Sequence, residues 1–226
     1  MRHWDGGPQS YLNSRFQLGH LEKNYQLMFE HGIHPDGIYI DVIGYVPPDQ
    51  DFNPEHPTTR SDAMLGQANL MNWAANNLGF TATEAGSDWV IPFTDSVNQS
   101  GGLGRTISIP LYQLVYHDAV LVSYGEGFRG GHNQLLLGCL CAGVPELPVD
   151  LSNVSKDSLE LMREMAALNK RVGLLEMTDH EFLDASRSKE RTTFADGTTV
   201  TVDWNAQTVE IEPKLTDAEL SATGIK

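Results

Sequence analysis

The chain has 226 residues, of which 40% are hydrophobic and 20% charged, a composition and length that suit one large domain or one domain with a small appendage. Its 30 acidic and 15 basic residues give a net charge of −15, which argues against nucleic acid or an anionic membrane as a partner, because both require a basic surface. No apolar stretch reaches the length of a membrane-spanning helix, and residues 1–8 lack the apolar segment of a signal peptide, so the compartment stays open between cytoplasmic and secreted.

Helix and strand patterns alternate in the first half of the chain. Apolar residues at helical spacing predict helices over residues 20–31 and 61–78. Residues 37–45 form a continuous apolar run that predicts a strand buried on both faces, and residues 80–84 predict a second strand. A proline-rich loop over residues 46–57 separates the first strand from the helix that follows it. Strand, helix and strand in this order build parallel sheets, so the sequence predicts the α/β class.

The pattern changes in the second half of the chain. Residues 133–143 predict a buried helix and residues 156–172 an amphipathic one. Alternating apolar and polar residues then predict short antiparallel strands, the first two joined by a turn at Ala195-Asp196-Gly197. The predicted strands cover residues 192–194, 198–204 and 208–211.

Two carboxylates near the ends of the first two predicted strands are the candidate catalytic residues. Asp41 lies within the apolar run, where an unpaired carboxylate costs several kcal/mol and therefore needs a structural partner or a function. Glu84 ends the next strand. The carboxyl ends of parallel strands carry the ligand site in α/β folds, and two carboxylates facing one pocket are the working groups of glycoside hydrolysis. A satisfied structural role for Asp41 remains the alternative.

Aromatic and metal-binding patterns give weaker signals. Several aromatic residues have the chemistry to stack on sugar rings or to pack in a core: Tyr45, Trp89, Tyr112 and Tyr124. A set of His and Asp residues offers a metal-site alternative, although its His-x-x-His pair falls at a helix end and turn: His31, His34, Asp36, His117, Asp118 and His132. Cys139 and Cys141 read as buried small residues and not as a disulfide. No Gly-x-Ser-x-Gly motif supports serine chemistry.

Several segments together resemble glycoside hydrolase family 129 and, more distantly, family 101 and related bacterial barrels. The resemblance covers roughly residues 35–205. Segments around the two candidate carboxylates resemble the catalytic core, Leu111–Asp118 resembles a later barrel strand, and Thr193–Val202 resembles the β-domain that follows the barrel. The core segments are Tyr39-Ile40-Asp41-Val42-Ile43-Gly44, Asp51-Phe52-Asn53-Pro54-Glu55-His56-Pro57-Thr58-Thr59-Arg60 and Thr83-Glu84-Ala85-Gly86-Ser87-Asp88-Trp89.

The resemblance implies a retaining glycoside hydrolase that acts on α-linked N-acetylgalactosamine or related galacto-configured sugars, free or in glycoconjugates. Asp41 would be the nucleophile on the fourth barrel strand, and Glu84 would be the general acid/base after the fifth. Four further residues would line the sugar site beside Tyr45: Asp88, Trp89, His117 and Asp118. The resemblance implies no required cofactor and allows a structural calcium ion, whose ligands it does not locate.

The chain departs from that family in length. Family members carry a β-domain and three barrel strands before the matching part, and a full eight-fold barrel alone needs about 200–250 residues. The predicted organisation is therefore a partial or compact (β/α) TIM-type barrel over 1–183 that lacks its first strands, the start of a β appendage over 184–214, and a frayed tail over 215–226. Open sheet edges would favour a homo-oligomer. The alternative function is a truncated, inactive or carbohydrate-binding homologue.

Overall fold

The structure of the protein is a computed structural model that describes residues 6, 10, 12–98, 109–125, 131–147 and 154–225. The chain forms two units, an N-terminal unit over Met1–Asp95 and a C-terminal unit over Ser96–Lys226. Within the described ranges, no helix combines the length and the apolar character needed to cross a membrane.

The N-terminal unit consists of two helix–strand pairs. Helix α1 covers Ser14–Glu30 and is followed by strand β1, Gly37–Ile40; helix α2 covers Arg60–Leu78 and is followed by strand β2, Phe80–Glu84. A short 3-10 helix over Ile91–Phe93 follows β2. The strands are parallel, with Gly37 opposite Phe80 and Ile40 opposite Thr83.

Local sequence signals explain where α2 begins and ends. Thr59 and Asp62 form a capping box, in which the Asp62 amide donates to Thr59 Oγ1 (3.2 Å) and the Thr59 amide donates to Asp62 Oδ2 (3.0 Å). Gly79 ends the helix with φ of +85°, and a Cβ there would lie 2.7 Å from the Asp36 carbonyl oxygen. The helix predicted over residues 61–78 is therefore confirmed, with a boundary set by glycine chemistry.

One face of the β1–β2 pair packs on α2. Ile40 packs against a buried cluster of Ile43, Leu70, Met71 and Val90. Thr81 and Thr83 of β2 are also fully buried, whereas Tyr39 remains 51% exposed. Residues along a strand point alternately to its two faces. The face opposite α2 is therefore open within this unit, and the prediction of a strand buried on both faces is wrong.

Two further expectations for this unit need correction. The strand predicted over residues 37–45 ends at Ile40, and residues 41–45 form a turn that leaves Tyr45 64% exposed. The turn is possible because Val42 takes the left-handed conformation with φ of 54°, which a β-branched residue rarely adopts. Helix α1 begins at Ser14, earlier than predicted, because Asn13 caps it by accepting from the Arg15 amide.

The C-terminal unit combines parallel strands with an antiparallel sheet. Strand β3 (Ser96–Asn98) pairs in parallel with β4 (Leu121–Tyr124), and β4 pairs in parallel with β5 (Val144–Pro145). Three helices occur among them: α3 over Leu111–Tyr116, α4 over His132–Leu140 and α5 over Lys156–Val172. The remaining elements are β6 (Met177–Phe182), β7 (Lys189–Phe194), β8 (Thr199–Asp203), β9 (Thr208–Glu212) and α6 (Asp217–Ser221).

The antiparallel sheet has the order β6-β7-β8-β9. Its central hairpin, β7–β8, turns at Ala195-Asp196-Gly197 as the sequence predicts, and the third strand is confirmed as β9. Strand β6 was not predicted, because its residues Met177–Phe182 are largely charged or polar. Together with the parallel strands, this sheet confirms the α/β class with an antiparallel appendage.

Two predictions for this unit are wrong. Leu111–Tyr116, expected as part of a barrel strand, is helix α3, and the strand begins only at Leu121. Residues 215–226, expected as a frayed tail, contain α6, which has a capping box between Thr216 and Glu219. Glu219 also pairs with Arg171 of α5 at 2.7 Å, and this ion pair holds α6 in place.

Candidate active site

The two candidate catalytic carboxylates occupy matching positions at the carboxyl edge of the β1–β2 pair. Asp41 directly follows β1, and Glu84 is the last residue of β2. The register of the two strands ends with Ile40 paired to Thr83, one residue before each carboxylate. Asp41 and Glu84 therefore lie at the same edge of two adjacent parallel strands. That they face one pocket stays a prediction.

Glu84 belongs to the open face of the strands. Thr83 is fully buried, so by alternation Glu84, the next residue of β2, points to the opposite face. Asp41 lies in the turn that follows β1, where strand alternation no longer applies. Asp41 is exposed and Glu84 is half-buried. The cost expected for a carboxylate buried inside a strand is consequently avoided, because Asp41 lies at the strand end where solvent reaches it.

The residue after each carboxylate has a strained backbone. Val42 and Ala85 both adopt φ of 54°, in the left-handed region. This conformation costs a residue with a Cβ about 1–2 kcal/mol. Strain of this kind persists only where the surrounding structure enforces it, and it clusters at functional sites. Its occurrence after both Asp41 and Glu84 marks these two turns as a matched pair.

The two turns are packed directly against each other through Gly44. The Gly44 amide donates to Thr83 Oγ1 (3.0 Å), and the Gly44 carbonyl accepts from the Ser87 hydroxyl (2.7 Å) and the Ser87 amide (3.1 Å). A Cβ on Gly44 would lie only 2.5 Å from the Ala85 carbonyl oxygen. These contacts fix the backbone that carries Asp41 relative to the backbone that carries Glu84.

Trp89 is placed by its indole nitrogen. Nε1 donates to Gln67 Oε1 (2.7 Å), and Gln67 in turn donates through Nε2 to the Val46 carbonyl (3.2 Å). The Trp89 ring packs against the cluster that contains Leu70 and Met71. This placement favours a packing role in which Trp89 ties the loop after β2 to the loop after β1. Contact of its ring with a sugar stays a prediction.

The other predicted site residues of this unit are at the surface. Tyr45 is 64% exposed in the turn that follows Asp41, and Asp88 is exposed in the loop that follows Glu84. Both follow a candidate catalytic residue by four positions, on the carboxyl edge of the strands. Their binding roles stay predictions.

The loop after β1 contains a hydrogen-bonded network that the sequence analysis missed. Asp51 Oδ2 accepts from Asn13 Nδ2 (2.7 Å) and contacts His56 Nδ1 (2.8 Å), and the Asp51 and Thr58 backbones bond to each other in both directions. The hydrogen bond from Asn13, followed by those from the Asn53 amide and His56, holds the pKa of Asp51 below its ordinary value. The network fixes a loop whose tip residue, Phe52, is 84% exposed.

His117 and Asp118 lie in the C-terminal unit. His117 is buried, with Nδ1 2.6 Å from the Leu175 carbonyl and Nε2 2.9 Å from the Cys141 carbonyl. Burial lowers the pKa of His117, against the opposite effect of these two carbonyl contacts. The ring nitrogens are thus engaged with the backbone, which favours a structural role for His117. Asp118 is exposed at the end of α3.

A second polar cluster at a strand edge was also missed. Glu146 directly follows β5. Its Oε1 accepts a 2.6 Å hydrogen bond from the Ser123 hydroxyl of β4 and a short one from the side-chain amide nitrogen, Nδ2, of Asn98 in β3. All three residues are half-buried. The sequence carries little signal for this cluster, because β3 and β5 have only three and two residues.

The metal alternative has no support in the geometry of the described residues. Within the described ranges, no three His, Cys, Asp or Glu side chains are grouped so that they could hold an ion. His34, one of the candidates, stacks on Phe29 with ring centroids 5.4 Å apart. The structural calcium ion that the resemblance allows stays an expectation.

Comparison with solved structures gives a close likeness over most of the chain. α-N-Acetylgalactosaminidase NagBb from Bifidobacterium bifidum, in complex with Gal-NHAc-DNJ, matches with a TM-score of 0.82 and 28% identity over 94% of this chain. Its GalNAc complex matches with a TM-score of 0.80 and 30% identity over 93%. A quadruple mutant matches with a TM-score of 0.79 and 31% identity over 92%. These structural neighbours are glycoside hydrolases. No protein-family model and no curated protein matches the chain.

The chain spans only about a third of the length of these neighbours, 36% to 37%. The neighbours are barrel-type glycosidases, and the alternation of parallel strands and helices in this chain fits a partial (β/α) barrel followed by a β appendage. The predicted fold class is therefore confirmed in this form.

Proposed function

We propose that the chain is part of a retaining glycoside hydrolase of family 129 type that acts on α-linked N-acetylgalactosamine or a related galacto-configured sugar. The observation that supports the proposal is that Asp41 directly follows β1 and Glu84 ends β2, at the carboxyl edge of two adjacent parallel strands. The substrate class rests on the likeness to an α-N-acetylgalactosaminidase at 28% to 31% identity.

The double-displacement mechanism is what the resemblance of the Asp41 and Glu84 segments to family 129 implies. Retaining glycosidases hold their two carboxyl groups about 5–5.5 Å apart, whereas inverting enzymes need about 6.5–9.5 Å to admit a water molecule. In this mechanism the Asp41 carboxylate attacks the anomeric carbon while Glu84 protonates the departing oxygen. Water deprotonated by Glu84 then cleaves the glycosyl-Asp41 ester, and the anomeric configuration is retained.

The exposure of the two carboxyl groups is consistent with these roles. The attacking group has to be ionised, and Asp41 lies where solvent can stabilise its charge. Glu84 is half-buried beside it and has to deliver a proton. The strained turns at Val42 and Ala85 and the contacts of Gly44 keep the two strand ends together, which supplies the positioning that both steps require.

The decisive experiment is hydrolysis of an aryl α-N-acetylgalactosaminide and of the matching aryl α-galactoside by the purified chain. We expect turnover by the parent, a loss on the order of 10⁴-fold or more in Asp41→Asn, and a loss of about 10²–10⁴-fold in Glu84→Gln. Circular dichroism and the melting temperature establish that each variant is folded. A folded Asp41→Asn variant with parental turnover would refute the nucleophile assignment.

The two roles can be separated with azide. In Glu84→Ala the small anion can enter the space left by the carboxyl group and attack the glycosyl-Asp41 intermediate. We expect azide to restore turnover and to yield a glycosyl azide with the configuration of the substrate. A product of inverted configuration would mean that Glu84 is the nucleophile and Asp41 the general acid/base.

A second candidate is a carbohydrate-binding homologue without turnover. It is favoured by the length of the chain, which covers 36% to 37% of its structural neighbours. It predicts that a well-folded chain binds N-acetylgalactosamine but hydrolyses neither aryl glycoside. Any turnover that disappears in Asp41→Asn excludes this candidate.

A further inference from the structure

The C-terminal unit has its own polar cluster at the carboxyl edge of parallel strands, formed by Asn98, Ser123 and Glu146. Asn98 and Ser123 are opposite each other in the β3–β4 register. Both donate to the same carboxylate oxygen, Glu146 Oε1, with 2.6 Å for the serine bond. Two donors on neighbouring strands therefore fix the orientation of one carboxylate that lies beyond β5.

The cluster lies on the face of the strands that does not form the buried core. In β4, Val122 and Tyr124 are buried and Ser123 points to the opposite face, and in β3 Val97 is buried and flanked by Asn98. Carboxyl edges of parallel strands carry the ligand sites of α/β folds. The cluster thus occupies within its own unit the kind of position that Asp41 and Glu84 occupy in theirs.

The absence of a side chain at Gly125 leaves room for the Glu146 carboxylate. The Glu146 amide donates to the Tyr124 carbonyl (2.8 Å), and Gly125 follows at the point of closest approach. A Cβ on Gly125 would lie 2.8 Å from Glu146 Cβ and 3.0 Å from Glu146 Oε2. Among the described residues, the hydrogen bonds to Glu146 go to Oε1, so Oε2 keeps accepting capacity.

We propose that Glu146 binds a hydroxyl group of a sugar ring through Oε2, with Asn98 and Ser123 holding the carboxylate in place. The ligand class rests on the proposed function, since a carboxylate that accepts hydrogen bonds suits a neutral, polyhydroxylated ligand. A cation is the less suitable occupant, because no other Asp, Glu, His or Cys of the described residues is grouped with Glu146 in a metal-binding arrangement.

The test is titration of the full chain with free N-acetylgalactosamine, with binding measured by calorimetry or ligand-observed NMR. We expect Glu146→Gln to raise the Kd by about 10- to 100-fold, because a hydrogen bond to a charged group is lost. Ser123→Ala keeps the carboxylate but removes one of its two donors, and we expect a smaller rise. Glu210→Gln changes an exposed carboxylate on β9 and serves as the matched control with unchanged Kd.

Deoxy analogues of the sugar separate a binding role from a structural one. Removing the hydroxyl that Glu146 binds should weaken binding to the parent more than binding to Glu146→Gln, since the charged acceptor is already absent there. A purely structural Glu146 would lower the affinity for every analogue in proportion. Equal losses for all analogues, parental affinity in a folded Glu146→Gln, or no binding by the parent would each overturn the inference.

Hydrolysis measured in parallel distinguishes this inference from the proposed function. Turnover that needs Asp41, in a chain whose affinity for N-acetylgalactosamine is unchanged by Glu146→Gln, would overturn the inference alone. Sugar binding that depends on Glu146 in a folded chain without turnover would overturn the proposed hydrolase and leave the inference standing.

Discussion

At the scale of single residues, the turns after β1 and β2 depend on a few backbone positions. Val42 and Ala85 carry positive φ angles, and Gly44 lies where a side chain would strike the Ala85 carbonyl oxygen at 2.5 Å. The hydrogen bond from the Gly44 amide to Thr83 Oγ1 adds a buried contact between the two turns. Geometry at the carboxylates therefore depends on backbone packing beside them as well as on Asp41 and Glu84 themselves.

We expect Gly44→Ala to destabilise the fold by about 1–3 kcal/mol, because overpacking forces the two turns apart. Turnover should fall further than stability alone explains, since the carboxylates move with the turns. Gly19→Ala is the matched control: a Cβ at Gly19 of α1 meets nothing within 4 Å. That change should stabilise the helix by about 1 kcal/mol. Thermal melts and steady-state kinetics measure both effects, and parental kinetics in Gly44→Ala would contradict the argument.

The sequence predicts the candidate catalytic carboxylates but not their surroundings. Asp41 stands out because it interrupts an apolar run of strand-forming residues, and Glu84 because it ends such a run. The end of β1 at Ile40 is not predictable, since Val42 and Ile43 favour strands and a positive φ at Val42 contradicts that preference. The Glu146 cluster depends on the register of β3, β4 and β5, which strands of two to four residues do not reveal.

At the scale of elements, the antiparallel sheet is organised around a buried charged group. Glu190 of β7 accepts from Trp204 Nε1 at 2.7 Å and pairs with His180 Nε2 of β6 at 2.8 Å. The side chains of His180 and Glu190 are only 3% and 9% exposed. A buried carboxylate is tolerated where its oxygens are engaged in this way. The network therefore ties the strand that the sequence did not predict to the hairpin that it did.

We expect Glu190→Ala to destabilise the protein by about 3–5 kcal/mol, because it leaves His180 and Trp204 without their buried partner. Glu181→Ala in the same sheet is the control. Its pair with Arg191 spans 3.6 Å, and the Glu181 side chain is 51% exposed, so its loss should cost less than about 1 kcal/mol. Chemical denaturation of both variants provides the comparison, and similar losses would show that burial does not decide the effect.

Helix α6 is held by an ion pair that titrates in acid. Hydrogen bonds from Arg171, and then from Thr216, lower the pKa of Glu219 from 4.5 to about 2. Arg171 also donates to the Pro213 carbonyl at 2.6 Å, so one side chain fixes both the start of this segment and its helix. A carboxyl group with a lowered pKa stabilises the folded state above its unfolded pKa and loses that contribution as the pH falls through the folded value.

We therefore expect α6 to stay docked above about pH 4.5 and to be released progressively as the pH falls toward 2. NMR resonances of α6 followed through an acid titration measure this release. Glu219→Gln lacks the titrating group, so its α6 resonances should show no transition between these two values. A parent whose α6 resonances stay constant down to pH 2 would contradict the assignment.

Helices were easier to predict than the short strands and the terminal segment. The helix predicted over residues 156–172 is α5, with Ser155 as its cap, and its apolar face is buried. Helix α3 was mistaken for strand because its six residues Leu111–Tyr116 include strand-forming side chains. Helix α6 was missed because five residues carry too little periodicity, and the contact of Glu219 with Arg171 is distant in sequence.

At the scale of the whole molecule, the partial barrel leaves sheet surface without cover in the described ranges. β1 is the first strand in the sheet order and, among the described strands, pairs only with β2; Tyr39 of β1 is 51% exposed. Phe80 of β2 is 50% exposed. Exposed edges of this kind promote pairing with another chain. We therefore propose that the expected homo-oligomer forms through the exposed edge of β1.

We expect the purified chain to self-associate at micromolar concentrations and Tyr39→Lys to shift it toward monomer, because charge on an edge strand opposes pairing. Leu27→Lys replaces another half-exposed apolar residue, 49% exposed on α1, and should leave the association unchanged. Light scattering coupled to gel filtration over a concentration series measures the mass. A monomeric parent throughout the series would rule out the β1 edge as an interface.

The backbone strain at Val42 and Ala85 has a consequence for laboratory evolution. A library selected only for thermal stability should accumulate Asn or Gly at both positions, because these residues adopt positive φ at lower cost. A library selected for turnover should retain the native side chains if they aim the carboxylates. A difference between the two selected populations at these positions would show how far turnover depends on the native residue in each turn, without any assumption about the substrate's aglycone.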